Sequence, residues 1–177
     1  CVFYLIQDVV VKAGLFFAGG VATHMCGSDH LKQMGGLWKK APLFGVAFLA
    51  LALSLAGLPP FSGFWAKLAV LQAGLEQDAY VAVGVILFTS ALTLFALLRI
   101  WHFAFWRPAP ETTTLNVNPR GWRALVALTA VTAGLSLLMG LAAEPVYRLA
   151  QRAADGVLDA DGYAVAVKSF VGKEEAP

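Results

Sequence analysis

The stretch from Pro42 to Leu75 limits the fold of this chain more than any other. It is 34 residues long and holds a single charged side chain, Lys67. As one straight helix it would measure ~51 Å at 1.5 Å per residue, against a bilayer hydrocarbon core of ~30 Å. Pro59 and Pro60 fall in its middle, just after Gly57. Proline removes a backbone donor and clashes with the preceding turn, so the helix must break or unwind there. Neither half reaches the ~20 residues of an independent span. The stretch therefore predicts one discontinuous span over 42–75, broken at 57–61, with Gly57, Pro59, Pro60 and Gly63 as the residues of the break. Irregular backbone at membrane depth persists only where protein or a wet cavity satisfies its polar groups. Discontinuous helices of this kind are a common building block of transporter sites.

Apolar segments at about 1–23, 80–102 and 123–143 are each long enough to cross a bilayer as a helix. The chain is 59% hydrophobic and 14% charged, where a soluble domain carries about 25% charged residues. An all-α polytopic membrane protein is expected, with residues 1–143 as the helical bundle. Residues 144–177 differ. Val146, Leu149, Ala153 and Val157 recur at helical spacing with Arg148 and Arg152 between them. That pattern predicts an external interfacial helix followed by a tail. The net charge of +2 is too small to suggest a nucleic-acid partner, and the sequence has no phosphate-cradling loop or cofactor motif. Cys1 and Cys26 give neither metal-ligand spacing nor a disulfide framework. The chain starts at Cys1 inside an apolar run, without the basic segment of a signal peptide. A piece lacking its N-terminal part is expected, and the polar end 173–177 reads as a natural C-terminus.

Basic residues give an orientation. Lys32, Lys39 and Lys40 lie between the first and second segments. Arg107 and Arg120 lie between the third and fourth, with Arg99 and Arg123 at the margins. The turn Glu76-Gln77-Asp78 has no basic residue. The positive-inside rule places the connections between the first and second and between the third and fourth segments in the cytoplasm, and the 76–78 turn and both chain ends outside. Trp38, Trp101, Trp106 and Trp122 fall near the same boundary, as an aromatic belt would.

Two lysines sit deep in apolar sequence, Lys12 in VVVKAGLFF and Lys67 in PPFSGFWAKLAVL. A charge at the centre of a span costs ~2.5–3.5 kcal/mol on the insertion scale and usually marks an ion or proton path. Asp8 is four residues before Lys12, so the two share a helix face and can pair. Such a pair is either titratable machinery or a structural lock on helix packing. Lys67 has no acidic partner in its segment. Freed carbonyls, water or another helix must satisfy it, because ~12 Å to the helix end exceeds a lysine's reach. His24, His30 and His102 lie near interfaces, where solvation or capping outweighs a proton-path role despite their suitable intrinsic pKa. Arg99 is expected to snorkel and Glu144 to mark the external end of the last span. Ser54, Ser62, Thr89, Ser90 and Thr93 are candidates for hydrogen bonds between helices. Phe61, Phe64 and Trp65 are expected to pack around the break.

SLAGLPPFSGFWAKLAVLQAGL resembles the broken-helix signature of the proton-translocating membrane subunits shared by respiratory complex I and Mrp-type multisubunit cation/proton antiporters. DVVVKAGLFFAGG is similar to the lysine-bearing helix that precedes it, and LFTSALTLFALLRIWHFAFW to the helix that follows. The resemblance covers most of 1–143 and is stronger towards the antiporter branch, in LRIWHFAFW and LDADGYAVAVKSF. It implies a C-terminal four-helix fragment of an about fourteen-helix subunit built on inverted repeats. It also implies a proton relay through Lys12 and Lys67, to which the i, i+4 pairing with Lys12 adds Asp8; no cofactor and no metal is expected. Coupling to Na⁺, partner subunits of a multisubunit complex and a bacterial plasma membrane follow from the same resemblance. The alternative it leaves open is a proton-pumping subunit of an NADH–quinone oxidoreductase. One departure concerns Asp8, since several complex I relatives carry histidine one turn before the Lys12 position.

Overall fold

Proline and glycine placement sets where the helices start and stop. The computed structural model of the chain describes residues 2–108, 123–145 and 148, and among these every regular element is helical. Helix α1 spans Val2–Cys26 and stops at Gly27, whose φ of 67° lies in the left-handed region and whose N–H donates to the Thr23 carbonyl. A single 3-10 turn, Leu31–Gln33, and a short α2, Leu37–Lys40, cross the end of the bundle. Helix α3, Pro42–Ala56, begins on a proline, which the first turn accepts because its missing N–H would be unpaired there anyway. Helices α4, Ser62–Glu76, α5, Tyr80–Trp101, and α6, Arg123–Leu141, follow. The α5 rod continues through one π-helical turn, His102–Trp106, closed by the Arg107 N–H on the His102 carbonyl. The expected interfacial helix and tail lie outside the described residues apart from 144, 145 and 148, as do Arg120 and Trp122.

By length and composition α1, α5 with its π turn, and α6 can each cross a membrane. Helices α3 and α4 are 15 residues each, ~22 Å apiece, and the chain is interrupted between them at 57–61. The chain leaves α3 through a Schellman motif. Gly57 sits at φ 89°, its N–H donates to the Ser54 carbonyl, and the Leu58 N–H reaches back to Leu53. Glycine takes that left-handed conformation without the penalty a side chain would bring. The Pro59–Pro60 peptide is cis, and extended Phe61 leads into α4.

Packing centres on α6, which lies along α1 and touches both α3 and α4. One core layer joins Met25, Leu37, Phe44, Phe48 and Phe105, with Phe105 tilted 5.2 Å from Phe44 and 5.5 Å from Phe48 between ring centres. A second layer packs Val11, Ala47, Leu51 and Ala133 at mid-height. A third joins Phe3, Ala66 and Met139. Helix α5 buries none of its residues within the chain, including Phe88 and Phe95. Only the face carrying Ile86, Ser90, Leu97 and Trp101 is half-buried against the chain, and the apolar remainder needs lipid or further protein around it. Trp38, Trp101 and Trp106 meet edge to face at one end of the bundle, with Arg99 and Arg107 over the Phe103 ring.

Helix α6 approaches the break closely enough that one position admits only glycine. A Cβ on Gly140 would collide with the Pro60 carbonyl oxygen and lie 2.6 Å from the Phe61 carbonyl carbon. Gly134, on the same helix, has open space around it. Gly140→Ala should therefore lower stability by about 1–3 kcal/mol, the usual range for overpacking, and Gly134→Ala should not. Melting of the purified protein in detergent checks this; equal midpoints for the two variants would refute the close approach.

Candidate functional site

The break leaves a specific carbonyl to be satisfied. A helix ends with four C=O groups that lack intrahelical partners. In α3 the Schellman motif occupies those of Leu53 and Ser54. The Ala56 carbonyl is taken by Lys67, whose Nζ donates to it at 2.9 Å. The same Nζ donates to Ser90 Oγ on α5 at 2.7 Å, and Ser90 Oγ in turn donates to the Ile86 carbonyl. Lys67 thus reaches back from α4 to cap the carboxyl end of α3, where the helix dipole is negative and favours a cation. A Cβ on Gly57 would lie 2.6 Å from Lys67 Cδ. Gly57 is thus required twice, by its backbone angle and by the lysine stem that crosses it. Gly63 is required by a third contact, since a Cβ there would collide with the Ser54 carbonyl oxygen.

Asp8 and Lys12 form the ion pair their spacing predicts, with 2.7 Å between Asp8 Oδ2 and Lys12 Nζ. The Asp8 side chain is 18% exposed and that of Lys12 55%, so the carboxylate is the inner member. A cleft of about 200 Å³ gathers Tyr4, Asp8, Lys12, Lys67, Ser90 and Thr93. All three charged candidates from the sequence therefore open onto one polar space, although Asp8 and Lys12 come from α1 and Lys67 from α4.

Other candidates fall elsewhere. Thr89 and Thr93 do not bond between helices; their hydroxyls turn back onto carbonyls of their own helix, at Val85 and Thr89 respectively. Ser54 and Ser62 do bond between helices, through Ser136 of α6, which the sequence did not mark out. Gln7 is also new: it is 3% exposed and its amide lies 3.2 Å from where a Gly63 Cβ would stand. Their signals were faint. Ser136 and Gly140 form a small-xxx-small pair on α6, and Gln7 adjoins Asp8 in an otherwise apolar run. His24 is exposed on the last turn of α1, His30 is exposed after it, and His102 begins the π turn against Phe103 and Trp106. Phe64 and Trp65 pair edge to face just after the break. Among the described residues no three His, Cys, Asp or Glu converge to hold a metal ion.

Comparison with known proteins gives consistent matches. Residues 1–93 match the family model described as NADH:quinone oxidoreductase/Mrp antiporter, TM. The D-type subunit of the Na(+)/H(+) antiporter of Alkalihalophilus pseudofirmus is 35% identical over 158 residues, 89% of this chain and 32% of that protein. A chain in the structure of the Mrp complex from Dietzia sp. superimposes with a TM-score of 0.79 at 32% identity, over 93% of this chain and 38% of that one. A chain of respiratory complex I from Thermus thermophilus gives 0.62 at 32% identity, over 78% of this chain and 31% of that one. The chain spans about one third of the length of the curated relatives it matches.

The Asp8–Lys12 geometry has a consequence for assembly. An unpaired charge at membrane depth is costly, whereas removing both partners leaves nothing to solvate. Asp8→Asn and Lys12→Met should each reduce the amount of protein recovered in membranes, and the double variant should recover part of that loss. Quantitative immunoblotting of membrane fractions tests this. A double variant no better than the worse single one would show that the pair is not a mutual lock.

Proposed function

The chain belongs to the NADH:quinone oxidoreductase/Mrp antiporter transmembrane family, and from that premise we propose that it supplies part of the proton path of a multisubunit Na⁺/proton antiporter. The parent protein is the D-type subunit of such an antiporter. It works beside other antiporter subunits in a bacterial plasma membrane, with the Lys32, Lys39 and Lys40 connection on the cytoplasmic side. The relatives' names and the higher structural similarity to the Mrp complex favour this over a redox-driven pump. The same relatives support reading the chain as a component of a transporter.

The observation that carries the proposal is the double anchorage of Lys67. An ammonium group has three donors, and two of them are committed to Ala56 and Ser90. The third hydrogen is the one available for transfer. When it leaves to an acceptor in the cleft, the neutral amine keeps two N–H groups and can hold the same two partners. Release and recapture of the proton then require no reorganisation of the break. Asp8 and Lys12 border the same cleft. Their pair is the second charged station: a proton arriving at the cleft meets the Asp8 carboxylate, and Lys12 responds to the change of charge beside it.

Everted vesicles carrying the full-length subunit and its partner subunits give the test. Addition of Na⁺ should collapse a respiration-generated pH gradient. Lys67→Ala, in an assembled complex, should abolish the response. Ser90→Ala should reduce it about tenfold or more without abolishing it, since a hydrogen bond to a charged group contributes ~1.5–3 kcal/mol and the Ala56 contact remains. A normal Na⁺ response in assembled Lys67→Ala would remove Lys67 from the path. A wild-type complex with no Na⁺ response, but with proton pumping driven by NADH, would favour the oxidoreductase reading.

A further inference from the structure

The break carries a second set of polar contacts, separate from those of the lysine. Ser54 lies near the end of α3, Ser62 begins α4 and Ser136 lies on α6. Their hydroxyls form a closed triangle, with Ser136 Oγ 2.7 Å from Ser54 Oγ and 3.0 Å from Ser62 Oγ, and 3.5 Å between the first two. All three residues are at most 1% exposed. Two edges, Ser136 to Ser54 and Ser136 to Ser62, have hydrogen-bond length, and Ser136 is the hydroxyl common to both. One turn on, Gly140 lies against the backbone of Pro60, Phe61 and Ser62. Gly63 in turn admits the Ser54 carbonyl and the Gln7 amide at close range.

We infer that Ser136 is a positioning residue: through the hydroxyl ring it fixes α3 and α4 to each other across the break, and so holds the Ala56 carbonyl at the distance Lys67 requires. The inference rests on the reading of Lys67 as a proton carrier. No continuous backbone hydrogen-bond ladder crosses residues 57–61, so the relative placement of the half-helices depends on side chains. At the lysine the link between them is the bond of Lys67 to the Ala56 carbonyl. That bond survives loss of the proton but weakens when the charge goes, since a hydrogen bond to a charged group contributes more than a neutral one. A link that does not titrate is therefore needed to keep the register constant. The serine ring is the independent link, since Ser136 bonds to both half-helices at once from a third helix. It is uncharged, and so does not compete with Lys67 for protons.

The test uses the full-length subunit in its assembled complex, with Ser136→Ala, Ser136→Thr and wild type compared by two readouts. The first is hydrogen–deuterium exchange of the peptide covering residues 54–67, which reports the break whatever Lys67 does. Ser136→Ala should raise exchange there by about tenfold or more, the factor that ~1.4 kcal/mol of lost local stability gives, and Ser136→Thr, which keeps the hydroxyl, should restore protection. The second is the pH profile of Na⁺-induced gradient collapse. Ser136→Ala should displace the profile and lower the rate several-fold, and Ser136→Thr should return both towards wild type. Unchanged exchange in Ser136→Ala would overturn the clamp. Raised exchange with an unchanged pH profile would overturn its role in positioning Lys67. A normal Na⁺ response in Lys67→Ala would instead defeat the proton-carrier reading, and with it the positioning role, while the exchange result would still judge the clamp alone.

Discussion

Everything around the break follows from the need to satisfy backbone carbonyls at a depth where water is scarce. A helix interrupted mid-membrane exposes polar groups that cost several kcal/mol each if left unpaired. This chain answers with a Schellman turn for Leu53 and Ser54 and with a lysine for Ala56. The same bond that caps α3 holds a titratable group beside a polar cleft. One side chain therefore meets the structural need of the break and places its ammonium group at the cleft.

The break divides its labour between two clusters. Charge gathers in one, with Lys67, Ser90, Asp8 and Lys12 around the cleft. Neutral hydroxyls make the other, with Ser54, Ser62 and Ser136 in contact. Glycines permit both. Gly57 lets the lysine stem pass, Gly63 lets α4 approach the Ser54 carbonyl, and Gly140 lets α6 reach the backbone of the break. Their role is close approach, and any side chain would push the elements apart.

Much of this was legible in the sequence because it depends on local rules. The excess length of 42–75 and its paired prolines require an interruption, and the i, i+4 spacing of Asp8 and Lys12 puts them in reach of each other. The partners of Lys67 were legible only in kind: freed carbonyls and another helix were expected, but the identities Ala56 and Ser90 depend on how α5 packs. Ser136 was only faintly legible, through its small-xxx-small spacing from Gly140, because its partner Ser54 is 82 residues away. Thr89 and Thr93 were misjudged for a related reason. A threonine in a helix can always return its hydroxyl to the preceding turn, and only tertiary contact decides otherwise. The π turn at His102–Trp106 also had no sequence warning.

The claim on which the rest depends is that Lys67 caps the carboxyl end of the α3 half-helix. A high-resolution cryo-EM map of the full-length subunit, in its complex and in lipid, measures this directly. The account predicts Lys67 Nζ within ~3 Å of the Ala56 carbonyl oxygen, with Ser90 Oγ as its second partner. A Lys67 side chain turned away, with the Ala56 carbonyl bonded to another group, would contradict it.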